Sequence, residues 1–221
     1  FAMVKAKETG PNSLGSAFCG IIDKLPRPSY LPTNTVLNLY DKENDIRYNA
    51  YFTYDSIDAQ TVPDFMITYC KKWPGNPELY EGKSNNINKT KAFRISEMYL
   101  IAAEAYAMSG DETNASVMLN KLKTARVKGW SDKSYKGDAL IKEIQDEYVR
   151  ELFGEHPYLF DLKRWKKGLN RSSSEAQDIS YLPALGTDMV KAADDYMWVW
   201  PIPKDEIDAN PQIKGQQNTG Y

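Results

Sequence analysis

The chain has 221 residues, 42% of them hydrophobic and 26% charged, which is enough for one sizeable domain with its own core. Its formal net charge of -2 gives no basic excess, so nucleic acid is not expected as a partner. No apolar run approaches the length of a membrane span, and the 15 Tyr and 5 Trp suit a large core or a surface that stacks on flat ligands.

The first part of the chain, residues 1–91, is predicted to be rich in loops. Proline and glycine interrupt every periodic run in residues 1–40. Short extended pieces are expected only near residues 19–23 and 36–40.

Residues 41–73 alternate between turn-forming and aromatic stretches. Asp45 and Arg47 are close enough for a local ion pair within one helical turn or tight loop. The tyrosines and phenylalanine of residues 48–54 are predicted to form an aromatic cluster that faces the core. Residues 65–69 read as a short strand between loops.

Three aromatic residues stand in a polar context rich in glycine, proline and asparagine: Tyr69, Trp73 and Tyr80. Sugars present apolar C–H faces to aromatic rings, while neighbouring Asn, Asp and Lys side chains bond to hydroxyl groups. This composition therefore predicts glycan contact by these three residues. The alternative is that they pack on the domain's own surface.

Helices are predicted from residue 92 onward, beginning with a pair at residues 93–108 and 112–126 that is joined by a short turn. The small residues Ala103 and Ala115 are placed where two helices approach closely, as in a tetratricopeptide hairpin. The apolar stripe of the first helix comprises residues 95, 98, 99, 102, 103 and 106, and that of the second comprises Ala115, Met118, Leu119 and Leu122. A lone hairpin cannot bury such a face, so further stacking is expected.

A third helix is predicted at residues 139–153 and a short one at residues 157–167, followed by a polar loop over residues 170–195. The prolines of the C-terminal tail exclude a helix interior or a sheet centre, so an extended or turned strap on a folded host is expected. Charged side chains of the third helix and the short helix are predicted to form a structural polar network; they are Glu147, Arg150, Glu151, Asp161, Lys163 and Arg164.

Catalytic patterns are weak in this sequence. The single histidine, His156, cannot form a zinc site alone. The many helical carboxylates, such as Glu147 and Glu151, leave glycoside hydrolysis as a remote hypothesis, because helix-face acids usually pair with Lys or Arg. Cys19 and Cys70 lack metal-site spacing, and two buried thiols are favoured over a disulfide. We therefore expect no metal, no cofactor and no catalytic residue.

Three separate motifs resemble one known family. They are the stretch from Arg94 to Ala105 (RISEMYLIAAEA), the Glu/Arg-rich helix with Phe-Asp-Leu-Lys-Arg-Trp that follows it in residues 147–165, and the ending Pro-Ile-Pro…Asn-Pro…Gln-Asn-Thr-Gly-Tyr in residues 201–221. Together they resemble the C-terminal half of the SusD/RagB family of outer-membrane nutrient-binding lipoproteins. Departures from the family's pattern are Tyr148, the His156-Pro157-Tyr158 stretch and Thr219.

The resemblance implies a mainly α fold, with tetratricopeptide-like hairpins, long irregular loops and a Pro-rich C-terminal strap. It assigns residues 92–221 to the family's helical domain, while residues 1–91 form a loop-rich segment that carries ligand-contact loops within one compact unit. It also implies a fragment of a longer, surface-exposed outer-membrane protein, lipid-anchored through an N-terminal cysteine that this chain does not contain.

The function implied by the resemblance is capture of an oligosaccharide for a SusC-like, TonB-dependent outer-membrane barrel, without enzymatic activity. Two alternatives stay open. The chain is a helical scaffold that binds only the transporter protein, or it belongs to the family members that bind peptides rather than sugars.

Overall fold

The computed structural model of the protein describes residues 2–3, 21–22, 25–26, 28, 30–57, 65–73, 90–91, 93–155, 158–172, 177 and 190–221. The architecture is mainly α, as the sequence predicts. The chain divides into two compact units: unit 1 comprises Phe1–His156 with Glu175–Tyr181, and unit 2 comprises Pro157–Ser174 with Leu182–Tyr221. The division at residues 91 and 92 stays a prediction.

Unit 1 combines helices with short antiparallel strand pairs. Its helices are α1 (Asn34–Leu37), α2 (Ile46–Tyr51), α3 (Ile95–Met108), α4 (Glu112–Thr124) and α5 (Gly137–Leu152). Its strands are β1 (Ala2–Met3), β2 (Ile21–Ile22), β3 (Leu25–Pro26), β4 (Phe52–Ile57), β5 (Phe65–Cys70) and β6 (Thr90–Lys91). Strand β1 pairs with β6, β2 with β3, and β4 with β5.

The strand predictions are confirmed in two places and wrong in one. Strand β5 lies where residues 65–69 predict it, and β2 lies within the extended piece expected near residues 19–23. The extended piece expected at residues 36–40 is wrong, because α1 continues to Leu37 and turns follow it. The Thr33 hydroxyl accepts a hydrogen bond from the Val36 backbone N–H at 3.3 Å, and this N-cap favours a helical start.

The helical hairpin of α3 and α4 forms as predicted, with α5 packed against both helices. Helix α3 is followed by Gly110, whose φ of 86° favours glycine and turns the chain. The Asp111 carboxylate then accepts a hydrogen bond from the Asn114 N–H at 3.0 Å and caps α4. Ala103 of α3 and Ala115 of α4 are both fully buried, consistent with a close approach of the two helices.

The buried side of α3 differs from the predicted stripe. Its buried residues are Ser96, Leu100 and Ala103. Two members of the predicted stripe, Ile95 and Met98, are instead 73% and 42% exposed. Apolar residues occur on nearly every side of this helix, so their periodicity does not single out the face that packs.

A substitution at Ala103 tests the hairpin packing. We expect Ala103→Leu to lower the free energy of unfolding by about 1–3 kcal/mol, because the added methylenes overfill a fully buried position. The matched control is Ala105→Leu, two residues further along the same helix at an exposed position, which is expected to change stability little. Urea denaturation followed by circular dichroism measures both. Equal stability of the two variants would contradict the assignment.

Unit 2 begins with α6 (Tyr158–Arg164), which the sequence places at residues 157–167. Strands β7 (Leu169–Asn170) and β8 (Val190–Lys191) then pair antiparallel within the region predicted as a polar loop. Gly168 lies so close to β8 that an added Cβ would stand 2.3 Å from the Lys191 carbonyl oxygen. Glycine is therefore required at this approach.

The C-terminal segment of unit 2 contains helical turns where the sequence analysis expects an extended or turned strap. A 3-10 helix at Tyr196–Trp198 precedes α7 (Lys204–Ala209), and a second 3-10 helix spans Pro211–Gln216. Pro203 is the N-cap residue of α7, and Pro211 opens the second 3-10 helix. The prolines thus begin helical turns rather than interrupt them, as their missing N–H groups favour.

The end of the chain folds back on the segment that precedes α7. The Gln217 side chain accepts a hydrogen bond from the Ile202 N–H at 2.8 Å and donates one to the Ile202 carbonyl at 3.1 Å. The Tyr221 hydroxyl donates to the Val199 carbonyl at 3.1 Å, and its ring meets Tyr196 edge-on at 5.1 Å between centroids. These contacts hold the end of the chain against the preceding part of the Pro-rich segment in unit 2.

Candidate functional site

Of the three aromatic residues predicted to contact a glycan, the structure describes Tyr69 and Trp73, which belong to different packing clusters. Tyr69 packs with Ile57 and Ile67, and its side chain is 5% exposed. Trp73 belongs to a different cluster and is also 5% exposed; the other buried members of that cluster are Leu37, Tyr40, Phe52 and Cys70. Tyr80 lies outside the described residues. The role of these residues in glycan contact stays a prediction.

Trp73 has a polar group that its own cluster does not satisfy. Its indole Nε1 is buried and has no hydrogen-bond partner within the described part of the chain. Buried polar groups normally find a partner, so this N–H is an exception among the described residues. Because packing covers the ring, the N–H is the group of Trp73 that a further acceptor would satisfy.

Lys72 lies beside Trp73 in a crowded, partly aromatic environment. Its ammonium Nζ is 2.5 Å from the Glu155 carboxylate and donates to the Phe153 carbonyl at 2.7 Å. It also stands 4.1 Å above the centre of the Tyr51 ring. Burial lowers the pKa of Lys72 to about 8, although the attraction of Glu155 partly offsets this effect.

A buried network of charges lies next to this region and centres on Arg47. Its guanidinium contacts Asp45 at 2.7 Å, Glu147 at 2.6 Å and Glu151 at 2.9 Å. Asp45 is also the N-cap of α2, because its carboxylate accepts the Arg47 N–H at 2.9 Å. The local pair predicted between Asp45 and Arg47 is therefore present, and it is one part of a larger assembly that joins α2 to α5.

Glu151 forms ion pairs with arginines from three parts of unit 1. Besides Arg47, it is contacted by Arg94, immediately before α3, at 2.9 Å, and by both Nε and Nη2 of Arg126 at 2.9 Å. The Glu151 side chain is fully buried. Such a forked pairing of guanidinium and carboxylate is geometrically specific, so Glu151 fixes the positions of the segments that carry these arginines.

Glu147 occupies the neighbouring turn of α5 and has its own cations. Arg150 contacts it at 2.7 Å and Lys123 of α4 at 3.4 Å, in addition to Arg47. Glu143, one turn earlier on α5, pairs with both Arg150 and Lys123. The sequence analysis anticipates a network around Glu147, Arg150 and Glu151, with Asp161, Lys163 and Arg164 as further members. Asp161 and Arg164 pair with each other at 2.7 Å.

The electrostatics of this network hold its central acids in the ionised form. Burial by itself raises the pKa of Glu147, but the cations Arg47 and Arg150 outweigh it and lower the pKa to about 2. Burial likewise opposes ionisation of Glu151, and the hydrogen bond from Arg126 together with the charge of Arg47 lowers its pKa to about 2. A carboxyl group that stays ionised at neutral pH cannot act as the general acid of glycoside hydrolysis.

The described residues contain neither a metal-binding cluster nor a membrane-spanning helix. They include no group of three or more His, Cys, Asp or Glu side chains arranged to hold a metal ion. None of the described helices combines the length and the hydrophobicity that crossing a membrane requires.

A comparison with protein families shows the family to which the chain belongs. The model of the SusD family matches residues 40–221. The chain belongs to the SusD family. The motif residues behind the resemblance fall within the matched range, and Arg94 and Glu151 among them make contacts of the buried network.

Solved structures share this SusD-family fold. The chain is similar to a SusD superfamily protein from Bacteroides thetaiotaomicron, with 23% identity and a TM-score of 0.67, over 95% of this chain and 44% of that one. It is also similar to a putative sugar binding protein from Bacteroides vulgatus, with 26% identity and a TM-score of 0.66, over 96% and 43% of the two chains.

A SusD-like protein from Bacteroides fragilis is 18% identical, with a TM-score of 0.68, over 100% of this chain and 53% of that one. The chain thus spans about half the length of these solved relatives. No curated protein gives a significant match.

Sequence reasoning missed several residues of the buried network in this SusD-family chain. The sequence predicts only Asp45 as a partner of Arg47, and it indicates no role in the network for Lys72 or Arg126. Their partners on α5 are far away along the chain; the Arg47–Glu147 pair, for example, is separated by 100 positions. A single sequence carries no signal for such pairs beyond the local spacing of charges.

Proposed function

We propose that this SusD-family chain is the C-terminal part of a nutrient-binding protein at the outer-membrane surface. In this proposal the whole protein is lipid-anchored through a cysteine outside this chain. It captures an oligosaccharide and passes it to a SusC-like TonB-dependent barrel, without catalysing a reaction. The observation that carries the proposal is the family match over residues 40–221, supported by the likeness to a putative sugar binding protein.

The buried network supports the binding role through the rigidity that it gives the helices. The acids at the centre of the buried network are held ionised by arginines and tie helices together, which suits a scaffold. A binding protein of this kind needs a rigid body and variable loops. The affinity expected for an oligosaccharide is modest, roughly micromolar to millimolar.

The proposed sugar contacts are Trp73, Tyr69 and Tyr80, in different roles. Packing covers the rings of Tyr69 and Trp73, which leaves the buried, unpartnered indole N–H of Trp73 as the group that a sugar hydroxyl would satisfy. Tyr80 stands in the polar Asn- and Gly-containing stretch whose composition suits ring stacking. We propose that Tyr80 stacks on a sugar face and that Trp73 donates a hydrogen bond to a hydroxyl group.

Titration calorimetry with a panel of oligosaccharides tests this arrangement. Trp73→Phe keeps most of the buried ring but removes the N–H, and we expect binding to weaken about 3- to 10-fold without loss of fold. Tyr80→Ala is expected to weaken binding about tenfold. The matched control is Trp130→Phe, which removes an indole N–H that is bonded to Asn120 at 3.1 Å, and it should bind sugars like the parent.

The same panel separates the proposal from its alternatives. Unchanged affinity in Trp73→Phe and Tyr80→Ala would remove these residues from the site while leaving glycan binding intact. Heat with oligopeptides instead of sugars would favour a peptide-binding family member. Release of reducing ends from a polysaccharide would point to hydrolysis.

A second candidate function is a scaffold that binds only the transporter protein. The burial of Tyr69 and Trp73 favours it, because rings used for packing leave less surface for a sugar. In that case no oligosaccharide gives heat, while a purified SusC-like barrel retains the chain on an affinity resin.

A further inference from the structure

A run of cations begins in the last turn of α6 and continues beyond the end of that helix. Residues 163–171, which we call the basic segment, contain five Lys and Arg residues and no Asp or Glu, although the formal net charge of the whole chain is -2. All of these cations are exposed, and they are Lys163, Arg164, Lys166, Lys167 and Arg171. A local excess of positive charge on a weakly acidic protein favours an anionic partner at that place.

Within the described residues, only one cation of the basic segment is neutralised by an acid. The Arg164 guanidinium contacts the Asp161 carboxylate at 2.7 Å and lies over the Trp165 ring, 4.6 Å from its centre. The other four cations form no ion pair with any residue that the structure describes. Positive side chains at the C-terminal end of a helix are favourable by themselves, but this reason does not extend to Arg171, which follows β7.

Lys166 has a backbone conformation that a side chain disfavours. Its φ is 52°, the one positive φ among the non-glycine residues that the structure describes. The position lies just after α6, where the Lys167 N–H donates to the Leu162 carbonyl at 2.8 Å, and glycine is the usual residue at such a helix end. A lysine at a position that favours glycine indicates that its ammonium group serves a purpose other than stability.

Exposed aromatic rings accompany the cations on α6. Phe160 is 61% exposed and lies one helical turn before Arg164. Tyr158 is 43% exposed and meets Trp165 edge-on, with 6.3 Å between the ring centroids. A ring beside a cation can contact the apolar C–H face of a sugar while the cation pairs with an acidic substituent of that sugar.

The same arrangement disfavours a lipid surface as the partner. A helix that lies in a membrane interface separates an apolar face from a charged face. In α6 the exposed apolar residues share one side with the cations. Leu159 lies four positions before Lys163, and Phe160 lies four positions before Arg164, so each pair projects from the same side of the helix.

We propose that the basic segment is a binding site for a carbohydrate that carries sulfate or carboxylate groups. The four cations other than Arg164 pair with the anionic groups, and the exposed ring of Phe160 contacts a sugar face. The assignment to a carbohydrate rests on the proposed function, whereas the requirement for negative charge rests on the basic segment alone. This site belongs to unit 2, whereas Trp73 belongs to unit 1.

Calorimetry with matched polymers tests the proposal. Dextran and dextran sulfate share a backbone and differ in charge, and we expect the chain to bind the sulfated polymer far more tightly. In a triple variant with Lys163→Gln, Lys166→Gln and Lys167→Gln, the dissociation constant should rise about tenfold, through the loss of several exposed ion pairs. The control Lys204→Gln removes an exposed lysine that is paired with Asp208, and it should leave the dissociation constant unchanged.

Lys166→Gly separates a binding role of this lysine from a structural one. Glycine adopts the positive φ without strain, so the midpoint of thermal unfolding should rise. Affinity for dextran sulfate should nevertheless fall, by about two- to fivefold for one lost ion pair. A lower midpoint together with unchanged affinity would contradict the role given to Lys166.

Three further results would overturn the proposal. The first is equal binding of dextran, dextran sulfate and the carboxylated polymer polygalacturonate. The second is a triple variant that binds the anionic polymers like the parent. The third is tighter binding to single-stranded DNA or to vesicles of anionic phospholipid than to either anionic polymer, since this would assign the basic segment to a different partner.

Failure of this proposal and failure of the proposed function are distinguishable. If the anionic polymers do not bind but neutral oligosaccharides give heat that depends on Trp73, the basic segment has no role and the proposed function holds. Binding of dextran sulfate or polygalacturonate that is lost in the triple variant and kept in Trp73→Phe supports the basic segment as a site of its own.

Discussion

Replacing Glu151 with glutamine is expected to lower the free energy of unfolding by about 3–5 kcal/mol, the usual cost of removing one partner from a buried ion pair. Glu151 is fully buried and accepts contacts from Arg47, Arg94 and Arg126. The neutral amide keeps the size of the side chain but leaves the arginines without a compensating charge. Urea denaturation at pH 7, followed by circular dichroism, measures the change.

The control for this substitution is an ion pair at the surface of the same helix. Asp146 of α5 pairs with Lys142, whose side chain is 69% exposed. Exposed pairs contribute little, so Asp146→Asn is expected to cost less than about 1 kcal/mol. A Glu151→Gln variant as stable as Asp146→Asn would mean that the buried network does not hold unit 1 together.

Acidification is expected to unfold the protein through the same network. The pKa of Glu147 and of Glu151 is about 2 in the folded state, against an ordinary value of 4.5. Because the pKa of each glutamate is lower in the folded state than in the unfolded state, the unfolded state binds more protons at pH values between the two. The contribution of the two ionised carboxylates to the free energy of unfolding is therefore fully present above about pH 5. It is lost as the pH drops towards 2, by on the order of 3 kcal/mol for each carboxylate.

Urea titrations at a series of pH values between 7 and 2 check this dependence. In Glu151→Gln one of the two groups no longer titrates, so the loss of stability between pH 5 and pH 2 should be smaller than in the parent. A parent stability that stays constant down to pH 3 would show that the glutamates do not keep their lowered pKa values in solution.

The helices of unit 1 could be predicted from the sequence because local signals agree at their ends. Periodic apolar residues mark α4 and α5, and Gly110 with Asp111 marks the turn between α3 and α4. The face of α3 could not be predicted in this way. Apolar residues surround that helix, and only tertiary packing decides that Leu100 turns inward and Ile95 outward.

The candidate site was less predictable than the fold, for a related reason. Tyr69 and Trp73 stand in a polar, turn-rich stretch of the sequence. Such a stretch can carry an exposed ring or a ring that packs under a loop, and the sequence does not distinguish the two. Trp73, for example, is buried in a cluster whose other members include Leu37 and Tyr40, which lie far away along the chain. Likewise, the charge pattern of α5 indicates a polar network, but its spacing does not reveal that Arg47 is the partner.

The separation of Arg47 from its partners has a consequence for the order of folding. The acceptors on α5 follow it by 100 and 104 positions. At a synthesis rate of about 5–20 residues per second, they leave the ribosome on the order of 10 s later. Asp45, two positions away, can pair with Arg47 at once, and its bonds of 2.9 and 2.7 Å orient the guanidinium towards the later partners. The nascent chain therefore carries an arginine already positioned for α5, whose arrival closes these long-range contacts of unit 1.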